Sequence, residues 1–165
     1  MKGLKRATGM AAAAVMAASL SVCAWAAEAK AEYAFTTGEN TITVGEYADV
    51  VLGKLGDAND VKILTNCANG GKDKAYIYDD FDVYTTQDEK KNTVVESIIL
   101  KSDKVATEEG LKVGQTPADV KKIYPGATES MGLYTVVLGD TQIVVDCGFA
   151  NDKVVSISYE NYVAE

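Results

Sequence analysis

Apolar and polar positions follow two rhythms along this chain. From Tyr47 the apolar residues recur at Val50, Val51 and Leu55, a spacing that gives a helix one oily face, and Gly56 stands where such a helix ends. Val120, Ile123 and Tyr124 form a second helical stripe. Here Thr116 offers an N-cap, Pro117 the first helical residue and Asp119 the partner of a capping box, and Pro125-Gly126 closes the helix. Elsewhere the period falls to two. Residues 75–78, 81–86, 93–101, 133–138, 141–147 and 153–159 alternate and are rich in β-branched and aromatic side chains, so they read as strands. Asn69-Gly70-Gly71, residues 87–92, Gly139-Asp140 and Asn151-Asp152 are their turns. Residues 61–65 read as one further strand, without a counterpart in the second half.

This order of elements comes twice. Val44-Gly45 opens the first helix and Val113-Gly114 the second; Thr93-Val94-Val95-Glu96-Ser97-Ile98 is echoed by Lys153-Val154-Val155-Ser156-Ile157-Ser158. The expected fold is α+β, with two tandem helix-plus-antiparallel-sheet units at 41–101 and 113–162. A linker at 102–112 joins them, and a flexible lead-in at 27–40 precedes them. The first unit carries about nine extra residues around 65–74, either a neutral loop extension or an insertion on a binding face.

Lys2, Lys5 and Arg6, the apolar stretch 11–22 and Ala24-Trp25-Ala26 have the layout of a secretory signal peptide cleaved after Ala26. The apolar run is too short for a membrane span. Leu20-Ser21-Val22-Cys23 resembles a lipobox and makes Cys23 a lipidation candidate, although Val22 replaces the usual small residue. Either route places the chain in the extracellular space or cell envelope. Charge points away from two partner classes. The chain has 16 Lys and Arg against 24 Asp and Glu, a net charge of −8, and the leader would take three of the basic residues and no acids. Such a surface repels nucleic acid and anionic lipid, leaving no membrane contact beyond a lipid anchor. Cys67 and Cys147, the two cysteines after the leader, are a disulfide candidate in an exported protein. A bridge would close a loop of about 80 residues and remove denatured-state entropy worth roughly 4–5 kcal/mol. Left unpaired, Cys147 is a small apolar strand residue.

The chain contains no His, which removes the usual general base, the Ser-His and Cys-His pairs and the common zinc sets. Gly53-Lys54-Leu55-Gly56 lacks the spacing of a phosphate loop. No enzyme activity, cofactor or resident metal is therefore expected. Asp79, Asp80 and Asp82 cluster around Phe81 and offer calcium its preferred oxygen ligands, yet the glycine and distal Glu of a calcium loop are missing, so the cluster reads first as a solvated bend between two strands, with calcium binding as the alternative. Tyr76, Tyr78 and Tyr84 lie on adjacent expected strands. They form either a binding surface edged by those aspartates or part of the core.

Leu111-x-Val113-Gly114-x-Thr116-x-x-Asp119-Val120, followed by a helix ending at Gly126, is similar to the repeat of the β-lactamase inhibitor protein and to the small lipoprotein of the outer-membrane barrel-assembly machinery. The stretch from Cys67-Ala68 through Tyr76-Ile77-Tyr78, with Val105 to Leu111, also resembles uncharacterised small secreted proteins and lipoproteins of Gram-positive anaerobes. The resemblance implies a tandem architecture that acts by binding. The expectation is an exported, non-enzymatic module that contacts another envelope or extracellular protein. The alternatives are a secreted inhibitor of a hydrolase such as a β-lactamase, and a calcium-binding protein or carboxylate-based enzyme.

Overall fold

Local capping decides where the two helices begin. In the computed structural model, which describes residues 33–65, 73–148 and 152–162, helix α1 spans Ala48–Leu55 and α2 spans Pro117–Ile123. At α2 the Asp119 amide donates to the Thr116 hydroxyl (3.3 Å) and the Thr116 amide donates to the Asp119 carboxylate (2.9 Å). This is the capping box the sequence spells out, with Pro117 at the first helical position and Val120 and Tyr124 buried. Helix α1 has no side-chain cap: Tyr47, its N-cap residue, is extended and bridges to Val94. The expected stripe is therefore displaced. Ala48 and Val51 are buried and Leu55 packs on the core, whereas Tyr47 and Val50 are 55% and 47% exposed.

The described residues form ten strands, most of them on the period-two segments: β1 Ala34–Thr37, β2 Asn40–Thr43, β3 Asp60–Leu64, β4 Asp73–Ile77, β5 Phe81–Gln87, β6 Thr93–Leu100, β7 Thr128–Ser130, β8 Leu133–Leu138, β9 Thr141–Asp146 and β10 Ser156–Asn161. β1 and β2 form a two-stranded ribbon; the others form one eight-stranded antiparallel sheet in the order β3-β4-β5-β6-β10-β9-β8-β7.

That sheet overturns the expected α+β fold of two tandem helix-plus-sheet units. The protein is mostly β-sheet, with two helices among the described residues, and its large sheet runs unbroken through the middle. β6 and β10 lie side by side, with Leu100 opposite Ile157, Ile98 opposite Tyr159 and Ser97 opposite Glu160. Each strand would otherwise present a row of unpaired backbone groups, so neither half closes a sheet of its own.

Three further expectations change. Part of the anticipated lead-in is strand β1, whose Phe35 is fully buried against Phe81 (5.1 Å between ring centroids) and Tyr159 (5.9 Å). The 102–112 linker is folded rather than a spacer. Leu111 is fully buried and its amide donates to Thr107 Oγ1 (3.1 Å), while the Thr107 amide donates to the Leu111 carbonyl (2.9 Å). β7, with exposed Thr128, Glu129 and Ser130, carries no apolar alternation and was missed.

The Val-Gly steps share one local arrangement. Gly45 donates to the Val95 carbonyl and Gly114 to the Val154 carbonyl, both at 2.8 Å; Val95 donates back to Glu46 (2.9 Å) and Val154 to Gln115 (2.7 Å). Positive φ angles of 87° and 89° at Gly45 and Gly114 make this sharp exchange possible.

The ribbon and helices cover one face of the large sheet. Paired residues share a face, so Val83, Ile98, Tyr159 and Ile143 form one buried row and Phe81, Leu100, Ile157, Val145 and Tyr134 another. Phe35, Ile42, Val51, Leu111 and Val120 pack onto them. The opposite face has no such layer among the described elements.

Candidate functional site

The open face is built by the residues that alternate with this core. One row runs Ile77, Asp82, Ile99, Ser158, Val144 and Thr135; the next runs Tyr84, Ser97, Glu160, Gln142 and Val137. Most are half-buried, and Val137 is 45% exposed. Apolar and aromatic side chains thus stand among hydroxyl, amide and carboxylate groups on a rigid surface.

The fold separates the residues singled out from the sequence. Tyr84 and Asp82 belong to the open face. Tyr76 lies opposite Val83 on the covered face, and Tyr78 packs on the same core, stacking on Phe81 (5.0 Å). The Tyr78 hydroxyl donates to the Gly56 carbonyl (3.1 Å), and burial, then Tyr76 and Asp57, raises its pKa. Two of the three tyrosines, Tyr76 on β4 and Tyr78 just after it, therefore serve packing. The aspartates also part company. The Asp79 carboxylate accepts from Asn59 (2.7 Å), that of Asp80 accepts from the Ser102 hydroxyl (2.7 Å) and lies 3.6 Å from Lys104 Nζ, and that of Asp82 pairs with Lys101 Nζ (2.6 Å). They do not converge on a common centre, and no group of three or more His, Cys, Asp or Glu among the described residues is placed to hold a metal.

Cys147 is buried, at 1% exposure, and carries a free thiol whose pKa is raised by desolvation and then by Asp146. Its candidate partner Cys67, and the lipidation candidate Cys23, lie outside the described residues.

One feature of the open face escaped the sequence reading. Glu96 and Glu160 border a shallow hollow of about 460 Å³ that is also lined by Thr86, Ser97 and Asn161. Partial desolvation, then Asp73 and Glu160, raises the pKa of Glu96. Glu160 accepts from the Gln142 amide (3.0 Å), and no Lys or Arg among the described residues forms a salt bridge with either glutamate. Alternation alone hides the pair, because Glu96 and Ser97 are consecutive: the register shift between Tyr84 and Thr85 leaves Glu96 as the extra residue on β6, and the β6–β10 pairing sets Glu160 opposite Ser97. A second opening of about 450 Å³ lies between α1 and the edge strand β3, lined by Ala48, Leu52, Ile63 and Tyr76 among others, and there Ile63 is 73% exposed.

No protein-family model and no curated protein matches the chain. Solved structures do. An extracellular protein containing a SCP domain from Bacillus anthracis str. Ames superposes over 76% of this chain and 50% of its own, with a TM-score of 0.52 and 13% identity. The chain shares its fold with half of that protein. A cysteine-rich secretory protein from Staphylococcus aureus subsp. aureus Mu50 aligns over 72% of this chain and 43% of its own, with a TM-score of 0.48 and 17% identity. The chain thus spans about half the length of the structures it matches. The first of these likenesses, with the single continuous sheet, corrects the resemblance to the β-lactamase inhibitor repeat: the helix-opening motif reports a local capping geometry, and the fold around it is a different one. No described helix is long and apolar enough to cross a membrane.

Proposed function

We propose that the chain is an exported, non-enzymatic binding module that docks another protein on the open face of its large sheet. The observation that carries this reading is the asymmetry of the two faces. One is sealed beneath the ribbon and helices, while Tyr84, Ile99, Val144 and Val137 on the other remain reachable among polar groups. Aromatic and aliphatic anchors within a polar frame suit protein recognition. Placement outside the cytoplasm is supported by the leader-like start and by neighbours described as extracellular and secretory. Lipid attachment at Cys23 is the finer part of this proposal, and metabolic labelling with a fatty acid tests it. The inhibitor reading has lost the resemblance on which it rested, and the calcium reading finds no convergent carboxylates among the described residues.

The test is photocrosslinking in the producing cells, with a photoreactive residue at Ile99 or Val144 and a control at exposed Lys122 on α2. A discrete protein adduct at the two sheet positions and none at the control is the expected result. Equal labelling at all three, or none, overturns the docking face.

A further inference from the structure

We propose that β3 is a pairing edge for a second copy of this chain, joining the two large sheets antiparallel about a twofold axis at Val61. The inference goes beyond the docking face and does not rest on it. β3 is an outer strand of the sheet, and its exposed side chains include Val61 (46%) and Ile63 (73%). Which backbone groups it offers follows from the ladder. The Tyr78 amide donates to the Phe81 carbonyl (3.0 Å), so by alternation Tyr76 and Lys74 turn their backbone toward β5, and Ile77 and Ala75 turn theirs toward β3. The Asn59 amide accordingly donates to the Ile77 carbonyl (2.8 Å). Lys62, opposite Ala75, therefore bonds inward, and Val61 and Ile63 on either side of it point their N–H and C=O groups off the sheet. The Val61 amide donates to the carboxylate of its own neighbour, Asp60 (2.9 Å), rather than across the ladder.

Charge complementarity selects the occupant and its register. A strand pairs with its own copy only where outward residues meet outward residues, so the twofold axis must fall on a residue of β3. An axis at Asp60 or Lys62 sets two like charges against each other, and one at Ile63 or Leu64 leaves both without an opposite charge. The axis at Val61 alone places Asp60 opposite the partner's Lys62 and Lys62 opposite the partner's Asp60. Both pairs then lie at the close, non-hydrogen-bonded spacing of about 4.5 Å between Cα atoms. A lysine on an edge strand ordinarily discourages pairing; here Asp60, two positions away, answers it. Val61 exchanges its two hydrogen bonds with the partner's Val61, which releases the Asp60 carboxylate for the partner's Lys62. The contact needs residues 59–63 alone. It covers Val61 and shields Ile63 beside the hollow between α1 and β3. Because paired residues share a face, the open faces of the two copies join on one side.

Sedimentation equilibrium of the exported protein across a dilution series is the experiment. The expected result is a monomer–dimer equilibrium, weak because a single strand edge is a small interface. Asp60→Lys and Lys62→Asp, each alone, turn both cross-strand pairs into like charges and should weaken the dimer roughly tenfold or more. The two together restore opposite charges and should return the affinity to within about threefold of the parent. Both positions are exposed, so the fold is retained. Val61→Cys reads the register: under mild oxidation it should form a covalent dimer across the axis. Ile63→Cys, which faces the partner's Asn59, should form no more than the parent. A monomer at every concentration, a dimer insensitive to the single reversals or not rescued by the pair, or equal covalent dimer from both cysteine variants overturns the inference and leaves the docking face standing. Absence of crosslinks at Ile99 and Val144 overturns the docking face alone.

Discussion

Ile98 and Ile99 are consecutive on β6 and face opposite sides of the sheet. Ile98 stands opposite Tyr159, both fully buried, while Ile99 stands opposite Ser158 on the open face. Truncation to Ala should therefore cost very different amounts. Ile98→Ala leaves a cavity and should destabilise by about 2–5 kcal/mol, whereas Ile99→Ala should cost less than about 1 kcal/mol. Urea denaturation of the two variants measures the difference; similar losses would mean that the open face is covered in solution.

Glu96 makes stability depend on pH. Partial desolvation, Asp73 and Glu160 hold its carboxyl above the ordinary value of 4.5, so the folded chain keeps this proton more tightly than the unfolded one. That contribution to stability is fully present below the ordinary value and is lost as pH rises through the raised folded value. Glu96→Gln should accordingly melt at a higher temperature than the parent at neutral pH, with the gap closing in acid. A constant gap across the range would contradict the electrostatic origin.

Gly132 is confined by backbone. A Cβ there would lie 2.7 Å from the Gly148 carbonyl oxygen, and its φ is 81°. Gly132→Ala should cost about 1–3 kcal/mol or more, because strain and a steric clash add. Gly126→Ala, where nothing lies within 4 Å, is the matched control and should stay near neutral. Thermal unfolding of the pair decides it.

The capping box gives a second pH signature. Thr116→Ala removes the hydroxyl that accepts from the Asp119 amide and should cost about 1 kcal/mol. Hydrogen bonds from the Thr116 hydroxyl and then its amide hold the Asp119 carboxyl below its ordinary 3.8. The folded state thus favours the anion, and this contribution is present above the ordinary value and lost as pH falls through the lower folded one. The melting-temperature difference between the parent and Asp119→Asn should shrink on acidification. Melting curves between neutral and strongly acidic pH provide the check.

Cys147 should resist alkylation in the native protein, because the thiol is buried and its pKa is raised. In concentrated guanidinium without reductant it should react at once. Continued resistance there, relieved only by a reductant, would reveal a bridge to Cys67. The described residues flanking Cys67 bear on that outcome: Leu64 on β3 and Asp73 on β4 pair at one margin of the sheet, and β5, β6 and β10 separate β4 from β9, which leads into Cys147.

Much of the local structure was legible because it depends on near neighbours in the chain. Thr116, Pro117 and Asp119 act within a single turn, and α2 forms as their spacing implies. The alternation in 81–86, 93–101 and 133–138 likewise marks β5, β6 and β8 to within a residue or so. Legibility failed where the determining contact was distant. Phe35 looked like part of a loose lead-in because its partners, Phe81 and Tyr159, are far along the chain. Whether Tyr76, Tyr78 and Tyr84 made a surface or part of the core stayed open in the sequence, because period two cannot say which face of a sheet will be covered. Glu96 and Glu160 drew no notice, since each alone is an ordinary strand residue.

The sequence by itself determined the period of each segment, the cap of α2, the acidity of the chain and the absence of histidine chemistry, all properties of composition or of residues a few positions apart. Only the tertiary structure decided that β6 and β10 join, making one eight-stranded sheet instead of two tandem units. Two free strand edges lower their free energy by hydrogen-bonding to each other, a long-range choice invisible to local pattern. The same pairing left one face of the sheet open, which is where the proposed docking surface lies.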